Sequence, residues 1–268
     1  MLYPAQPVGE AVPVGPFGVL ARPEAPPLAG EWPLVLLSHG SGGGPWLYRT
    51  LAVHLAHHGF VVGLPEHPFN NRTDNTWFGK ADNLAARPRH LGLALDYFFG
   101  PSPFANLLKP HAVGLIGHSM GGYSVLALAG GEPTAFPVES PTGQPQPVVV
   151  VPDDRVRALV LLAPATGWFK APGALRRVRV PIQLWQGGQD NVTPAYHAQL
   201  VLNGVVDRTS VEYRLMEEAG HYSFLSPFPS ALTSPAFLPS QDIPGFDRSQ
   251  FQATMNTEIA SFLKKELV

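Results

Sequence analysis

The sequence predicts an α/β fold: a mostly parallel central sheet with helices on both faces. Three observations carry this. Short apolar runs of strand length alternate with segments of helical spacing along most of the 268 residues, and that alternation builds parallel sheets covered on both sides. Hydrophobic residues make up 45% of the chain against 14% charged, enough to bury a large core. The apolar run before Gly117-His118-Ser119-Met120-Gly121-Gly122 leads into small residues of helical character, a strand–turn–helix around a G-x-S-x-G pattern.

The elements follow in order. Residues 12–20 are expected to form a strand at the sheet edge, where prolines are tolerated. Residues 34–38 read as a buried parallel strand, ending in the loop His39-Gly-Ser-Gly-Gly-Gly44. A helix is expected over 46–58, with Leu47, Leu51 and Leu55 on one face and Gly59 closing it; 60–64 returns as a strand. Residues 66–76 are polar and irregular. A helix over 82–99 is expected to bend or start near Pro88. Strands at 112–116, 156–163, 180–186 and 211–216 and helices at 119–129, 194–202 and 250–267 complete the pattern, with Thr193 capping the helix at 194. The Pro-rich segments 131–155 and 223–247 are long for connections and read as a lid, a binding loop or a spacer. The chain is expected to form a single domain over 1–268.

Composition excludes several classes of function. With no cysteine, disulfides, thiolate metal sites and a cysteine nucleophile are ruled out. A net charge of −2 and one small basic cluster, Arg176-Arg177-Val178-Arg179, argue against a nucleic-acid partner. No apolar run is long enough to cross a membrane, and no histidine spacing indicates a metal. Without a visible leader the expected location is cytoplasmic, or secreted or periplasmic if a leader was removed.

A serine hydroxyl needs a base, and the base needs an acid to orient it. Downstream of Ser119, Asp190 follows a strand and a Gly-Gly turn, where open α/β sheets place catalytic groups. A turn or capping aspartate is its plainer reading. Asp153 and Asp154 precede a strand and are poor rivals; Asp207, Glu217 and Glu218 are substitutes. His221 lies in a loop after the last strand, preceded by Gly220, and is the expected base. His197 is expected on a helix surface; His54, His57 and His58 at a helix end; His67, His90 and His111 as structural residues. An oxyanion hole requires two backbone amides, for which Met120 and Ser41 are the candidates. Trp46, Trp185 and Tyr222 are candidate substrate-binding residues, with Trp77, Phe78, Trp168, Phe169 and Phe224 also near the expected rim. The run Asn70–Asn75 is polar enough to bind a headgroup, although a surface loop explains it as well.

Together, Tyr3-Pro-Ala, Leu37-Ser-His-Gly-Ser-Gly-Gly43, Leu55-Ala-His-His-Gly-Phe-Val-Val62 with Glu66-His67, Gly117-His-Ser-Met-Gly-Gly122, Gln186-Gly-Gly-Gln-Asp190 and Ala219-Gly-His-Tyr-Ser-Phe224 resemble the α/β-hydrolase superfamily. Within it the chain is similar to the predicted dienelactone hydrolases and the platelet-activating-factor acetylhydrolases. The resemblance implies the α/β-hydrolase fold, here shortened at the N-terminus. It implies a cofactor-free serine hydrolase acting through an acyl-enzyme on a small to medium ester (a short-chain acyl ester, a lactone or a polyester). Ser119 would be nucleophile, Asp190 acid, His221 base, and Ser41 and Met120 the oxyanion amides. Dienelactone hydrolases in the strict sense use a cysteine, which this chain lacks. Acyl transfer, thioester cleavage and amide hydrolysis on the same triad remain alternatives, as does a non-catalytic binding role on the scaffold.

Overall fold

The computed structural model describes residues 1–268. Ten strands and five α-helices follow in chain order: β1 (Val12–Val14), β2 (Val19–Ala21), β3 (Trp32–Ser38), α1 (Arg49–His57), β4 (Val61–Gly63), α2 (Ala81–Phe99), β5 (Leu108–His118), α3 (Met120–Leu128), β6 (Thr134–Ala135), β7 (Gln146–Pro147), β8 (Val156–Leu162), β9 (Ile182–Gly187), α4 (Tyr196–Gly204), β10 (Val211–Met216) and α5 (Arg248–Leu267). Six strands form one sheet in the order β10-β9-β8-β5-β3-β4. Every pairing within it is parallel. This is the α/β-hydrolase fold.

The period-two pattern of the central strands assigns each side chain to a face. Leu34, Leu36, Leu115, Leu159, Leu161 and Leu184 join the core shared with α2, α3 and α4. Val35, Leu37, Ile116, Val160, Leu162 and Trp185 join the core shared with α1 and α5. Helix α5 contributes Phe251, Met255, Ile259 and Leu263 at four-residue spacing, each burial being worth about 1.5–3 kcal/mol. Asp247 starts this helix by accepting from the Gln250 amide at 2.9 Å. Helix α3 is buried on every side, which explains its lack of a polar face.

Helix α2 runs through Pro88 without ending. Proline has no N–H to donate to the carbonyl four residues back. That carbonyl, on Leu84, accepts instead from the Tyr123 hydroxyl of α3 at 2.9 Å. The helix therefore continues because a neighbouring element satisfies the orphaned acceptor.

Four expectations are corrected. Residues 12–20 do not join the sheet: β1 and β2 form a separate antiparallel hairpin, and the β4 edge is met instead by Leu2, whose amide and carbonyl bond those of Val62. The segment 46–58 divides into a tight turn of 3-10 helix over Pro45–Tyr48 and then α1. Helix α4 starts at Tyr196, not at Pro194, and Thr193 is not its cap. Its hydroxyl is drawn to Asp190 and to the Ala163 carbonyl. His197 is buried, not on the surface, and its Nδ1 accepts from the Thr166 amide at 2.9 Å. No helix is long and apolar enough to cross a membrane.

Candidate active site

The loops at the carboxyl ends of β3, β5, β9 and β10 meet at one edge of the sheet, where open α/β folds concentrate their chemistry. Ser119 sits between β5 and α3 with φ 53° and ψ −120°, a backbone conformation disfavoured for any residue with a side chain. Two neighbours make the turn possible. A Cβ on Gly117 would collide with the Gly121 carbonyl, and one on Gly121 with the Ser38 carbonyl. The elbow is therefore packed directly against the end of β3.

Asp190 and His221 are brought together from the ends of β9 and β10. His221 Nδ1 lies 2.9 Å from Asp190 Oδ2, and both side chains are almost wholly buried. A carboxylate only accepts, so Nδ1 carries the proton and the Nε2 lone pair is free. Asp190 Oδ1 accepts from the amides of Val192 and Thr193 at 2.9 and 2.8 Å, and Oδ2 from the Thr193 hydroxyl at 2.7 Å. Burial pushes the carboxyl pKa up. The bonds from His221 and Thr193, with the attraction of His221, outweigh this and hold it below its ordinary value. The plainer role for Asp190, closing its own turn, and the role of orienting His221 are thus filled by the same side chain. The rivals lie elsewhere: Asp153 pairs with Arg155, and Asp207 closes its own turn onto Thr209.

Ser119 and His221 open onto one cavity of about 900 Å³, near the upper end of the range for small-molecule sites. Ser119 Oγ is not hydrogen-bonded to the His221 ring in this structure. Trp46, Tyr222 and Phe78 line the cavity, as do Arg72 and Glu66. Trp185 does not. Its position in β9 turns it to the opposite face, where it is buried against Phe251 and bonds Gln183 at 3.0 Å. Trp168 and Phe169 pack on Tyr123, Trp77 stacks on Phe69, and Phe224 is in the core. The segment 223–247 supplies Leu225, Phe228, Leu232, Phe237 and Pro239 to the cavity wall, whereas no residue of 131–155 lines it. That insert forms the β6–β7 hairpin instead, and Glu139 there accepts from the Trp168 indole at 2.8 Å.

The Ser41 backbone amide makes no hydrogen bond within the protein, and Met120, as the first residue of α3, has no intrahelical acceptor for its amide, while the neighbouring Gly40 amide is taken by Tyr48 Oη at 3.2 Å. That phenol also meets His118 Nδ1 at 2.9 Å, and His118 Nε2 meets the His221 carbonyl at 3.0 Å. The carbonyl can only accept, so Nε2 carries the His118 proton and Tyr48 donates to Nδ1. His118, the variable residue of the G-x-S-x-G pattern, therefore ties the elbow to the loops bearing Ser41 and His221. Burial lowers its pKa to about 3, helped by the neighbouring His221.

Sequence reading missed a polar network beneath this loop. Arg87 is fully buried and donates to Ser124 Oγ at 2.9 Å, to Asn70 Oδ1 at 2.7 Å and to the His39 carbonyl. Burial pulls its pKa down to about 9. His67 is buried beside it, bonding Ser38 Oγ at 2.8 Å. Asn70 is buried and Asn71 closes a turn onto Thr73 and Asp74, while Arg72, Thr73 and Asn75 of the same polar run line the cavity. A proline-flanked arginine in an amphipathic helix carries no local signal of such a role.

The fold and the elbow define an α/β-hydrolase architecture. Residues 21–96 match the family model described as platelet-activating factor acetylhydrolase, isoform II, and the chain is similar to that family of hydrolases. The match takes in the loop bearing Ser41 together with Asn70 and Arg87, and ends before Ser119. No curated protein matches the chain.

Proposed function

We propose that this protein is a serine carboxylic-ester hydrolase that works through an acyl-enzyme. The observation that carries the reading is a strained serine elbow sharing one cavity with a histidine whose Nδ1 is held by a buried carboxylate. Ser119 Oγ attacks the ester carbonyl while His221 Nε2 takes its proton. Catalytic hydrogen bonds often tighten only once substrate is bound, so this contact forms in the complex. Asp190 keeps the His221 tautomer and stabilises the imidazolium without being protonated itself. The oxyanion receives the amides of Ser41 and Met120, a contribution of about 3–4 kcal/mol per donor at comparable sites. The alcohol leaves with the proton from His221. Water, activated by the same ring, then releases the acid from Ser119.

The substrate is a small to medium ester. The name of the matched family points to an acetyl ester, and the largely apolar cavity wall suits an acyl or aryl group. Initial rates on p-nitrophenyl acetate, butyrate, octanoate and palmitate for wild type and Ser119→Ala test this. Turnover that disappears in Ser119→Ala supports the reading, and the chain-length profile sizes the acyl pocket. Equal rates for the two proteins would sink it.

A further inference from the structure

We propose that Asn70, anchored by the buried Arg87, is a positioning residue that sets the direction of the Ser41 amide. This rests on the serine-hydrolase reading. The geometry is built peptide by peptide. The chain has no cis peptide, so each N–H points opposite to the carbonyl of the residue before it. The His39 carbonyl is held by Arg87, which turns the Gly40 amide the other way, onto Tyr48. The Gly40 carbonyl accepts from the Gly43 amide at 3.1 Å and from His39 Nδ1 at 2.8 Å. The Ser41 amide must then point away from the His39 ring, and it is left free. His39 Nδ1 faces a carbonyl and so carries the proton; Nε2 accepts from the His67 amide at 3.1 Å, in agreement.

The Ser41 side chain is fixed from below. Asn70 Nδ2 donates to Ser41 Oγ at 2.9 Å and to Asn75 Oδ1 at 2.6 Å, while Asn70 Oδ1 accepts from Arg87 at 2.7 Å. Both ends of the amide are used, so its orientation is determined by the donors and acceptors around it.

A second observation supports a role beyond folding. Arg87 is wholly buried with no carboxylate paired to it. A buried, unpaired cation costs stability that an apolar residue would not. Its bonds lead to Ser124 in α3, to the His39 carbonyl and, through Asn70, to Ser41. The guanidinium fork thus spans the elbow helix and the loop whose amide must face the same oxyanion, a geometry lysine cannot reproduce.

The test is steady-state kinetics on p-nitrophenyl butyrate with wild type, Ser119→Ala, Ser41→Ala, Asn70→Ala and the Ser41→Ala/Asn70→Ala double variant, alongside thermal melts. Asn70→Ala and Ser41→Ala should each lower kcat by about tenfold or more, with KM changed less than about twofold, because a misdirected donor is felt in the transition state. Since Asn70 acts through Ser41, the double variant should be no slower than the worse single one. Inhibition by an alkylboronic acid, which becomes tetrahedral on serine, should weaken in parallel with kcat. Asn70→Ala with unchanged kcat, or effects that multiply in the double variant, would overturn the proposal. Ser41 is exposed, so Ser41→Ala folds regardless, and full kcat there would overturn it too. Loss of activity in Ser119→Ala separates these outcomes from failure of the underlying reading: if Ser119→Ala matches wild type, that reading falls and this inference with it.

Discussion

The Asp190 carboxylate accepts from two amides, one hydroxyl and one imidazole, so its removal and its neutralisation have different consequences. Asp190→Asn keeps an acceptor for the amides but presents an N–H toward His221, favouring the wrong tautomer. We expect kcat to fall by about 10³–10⁴-fold while the melting temperature drops by only a few degrees; a kcat within tenfold of wild type would remove Asp190 from the triad. Ser119→Ala is expected to lose at least as much activity and to gain a little stability, because alanine relieves neither the φ of 53° nor the packing but no longer buries a hydroxyl in part. Whether a fluorophosphonate probe labels the wild type and not this variant checks the nucleophile independently of substrate choice. Thr193 was legible as a helix cap and is something else: proximity to Asp190 and Ala163, set by the tertiary fold, outcompeted the local role.

At the level of elements, the elbow and α2 carry the clearest consequences. Gly121→Ala drives a methyl into the Ser38 carbonyl, a backbone atom that cannot step aside, so β3 and α3 must separate. The expected result is a destabilisation of about 2 kcal/mol or more with nearly complete loss of activity, read by chemical denaturation together with ester turnover. Tyr123→Phe keeps the ring packing but removes the hydroxyl that satisfies the Leu84 carbonyl opposite Pro88. Leaving that acceptor buried and unpaired should cost about 1–3 kcal/mol; an unchanged midpoint in urea would show that the bond contributes nothing to holding α2. Strand positions were readable because apolar runs between turn residues have few alternatives. The β1–β2 hairpin was not placed correctly, since its prolines and glycines mark an edge-like segment without saying which edge, or whether it joins the sheet at all.

For the molecule as a whole, four buried histidines make stability depend on pH. Burial, with Arg87 beside His39 and His67 and with His221 beside His118, lowers the pKa of His39 and His118 to about 3 and that of His67 well below its ordinary value; His197 is lowered to about 4, mainly by burial. In the unfolded chain each titrates near about 6.5, so the unfolded state binds protons first as the solution is acidified. Stability is therefore fully present above about pH 6.5 and is lost as pH falls toward the folded values. Asp190, depressed in the fold, adds a further loss only below the ordinary carboxyl range. The melting temperature should be level from pH 7 to 8 and decline steadily between pH 6.5 and 4. His118→Asn should make that decline shallower, and a slope identical to wild type would show that His118 is not kept neutral by the fold. The order of the main strands and helices, the elbow at Ser119 and the candidates Asp190 and His221 could be read along the chain, because periodicity, glycine placement and position after a strand are local properties. It took the packed fold to show that Trp185 faces the core, that 223–247 and not 131–155 walls the cavity, and that Arg87, Asn70, Tyr48 and His118 tie together the loops around Ser41, Ser119 and His221. Those facts depend on which distant groups share a low-dielectric space, where each buried donor must find an acceptor, and no spacing within one segment encodes that.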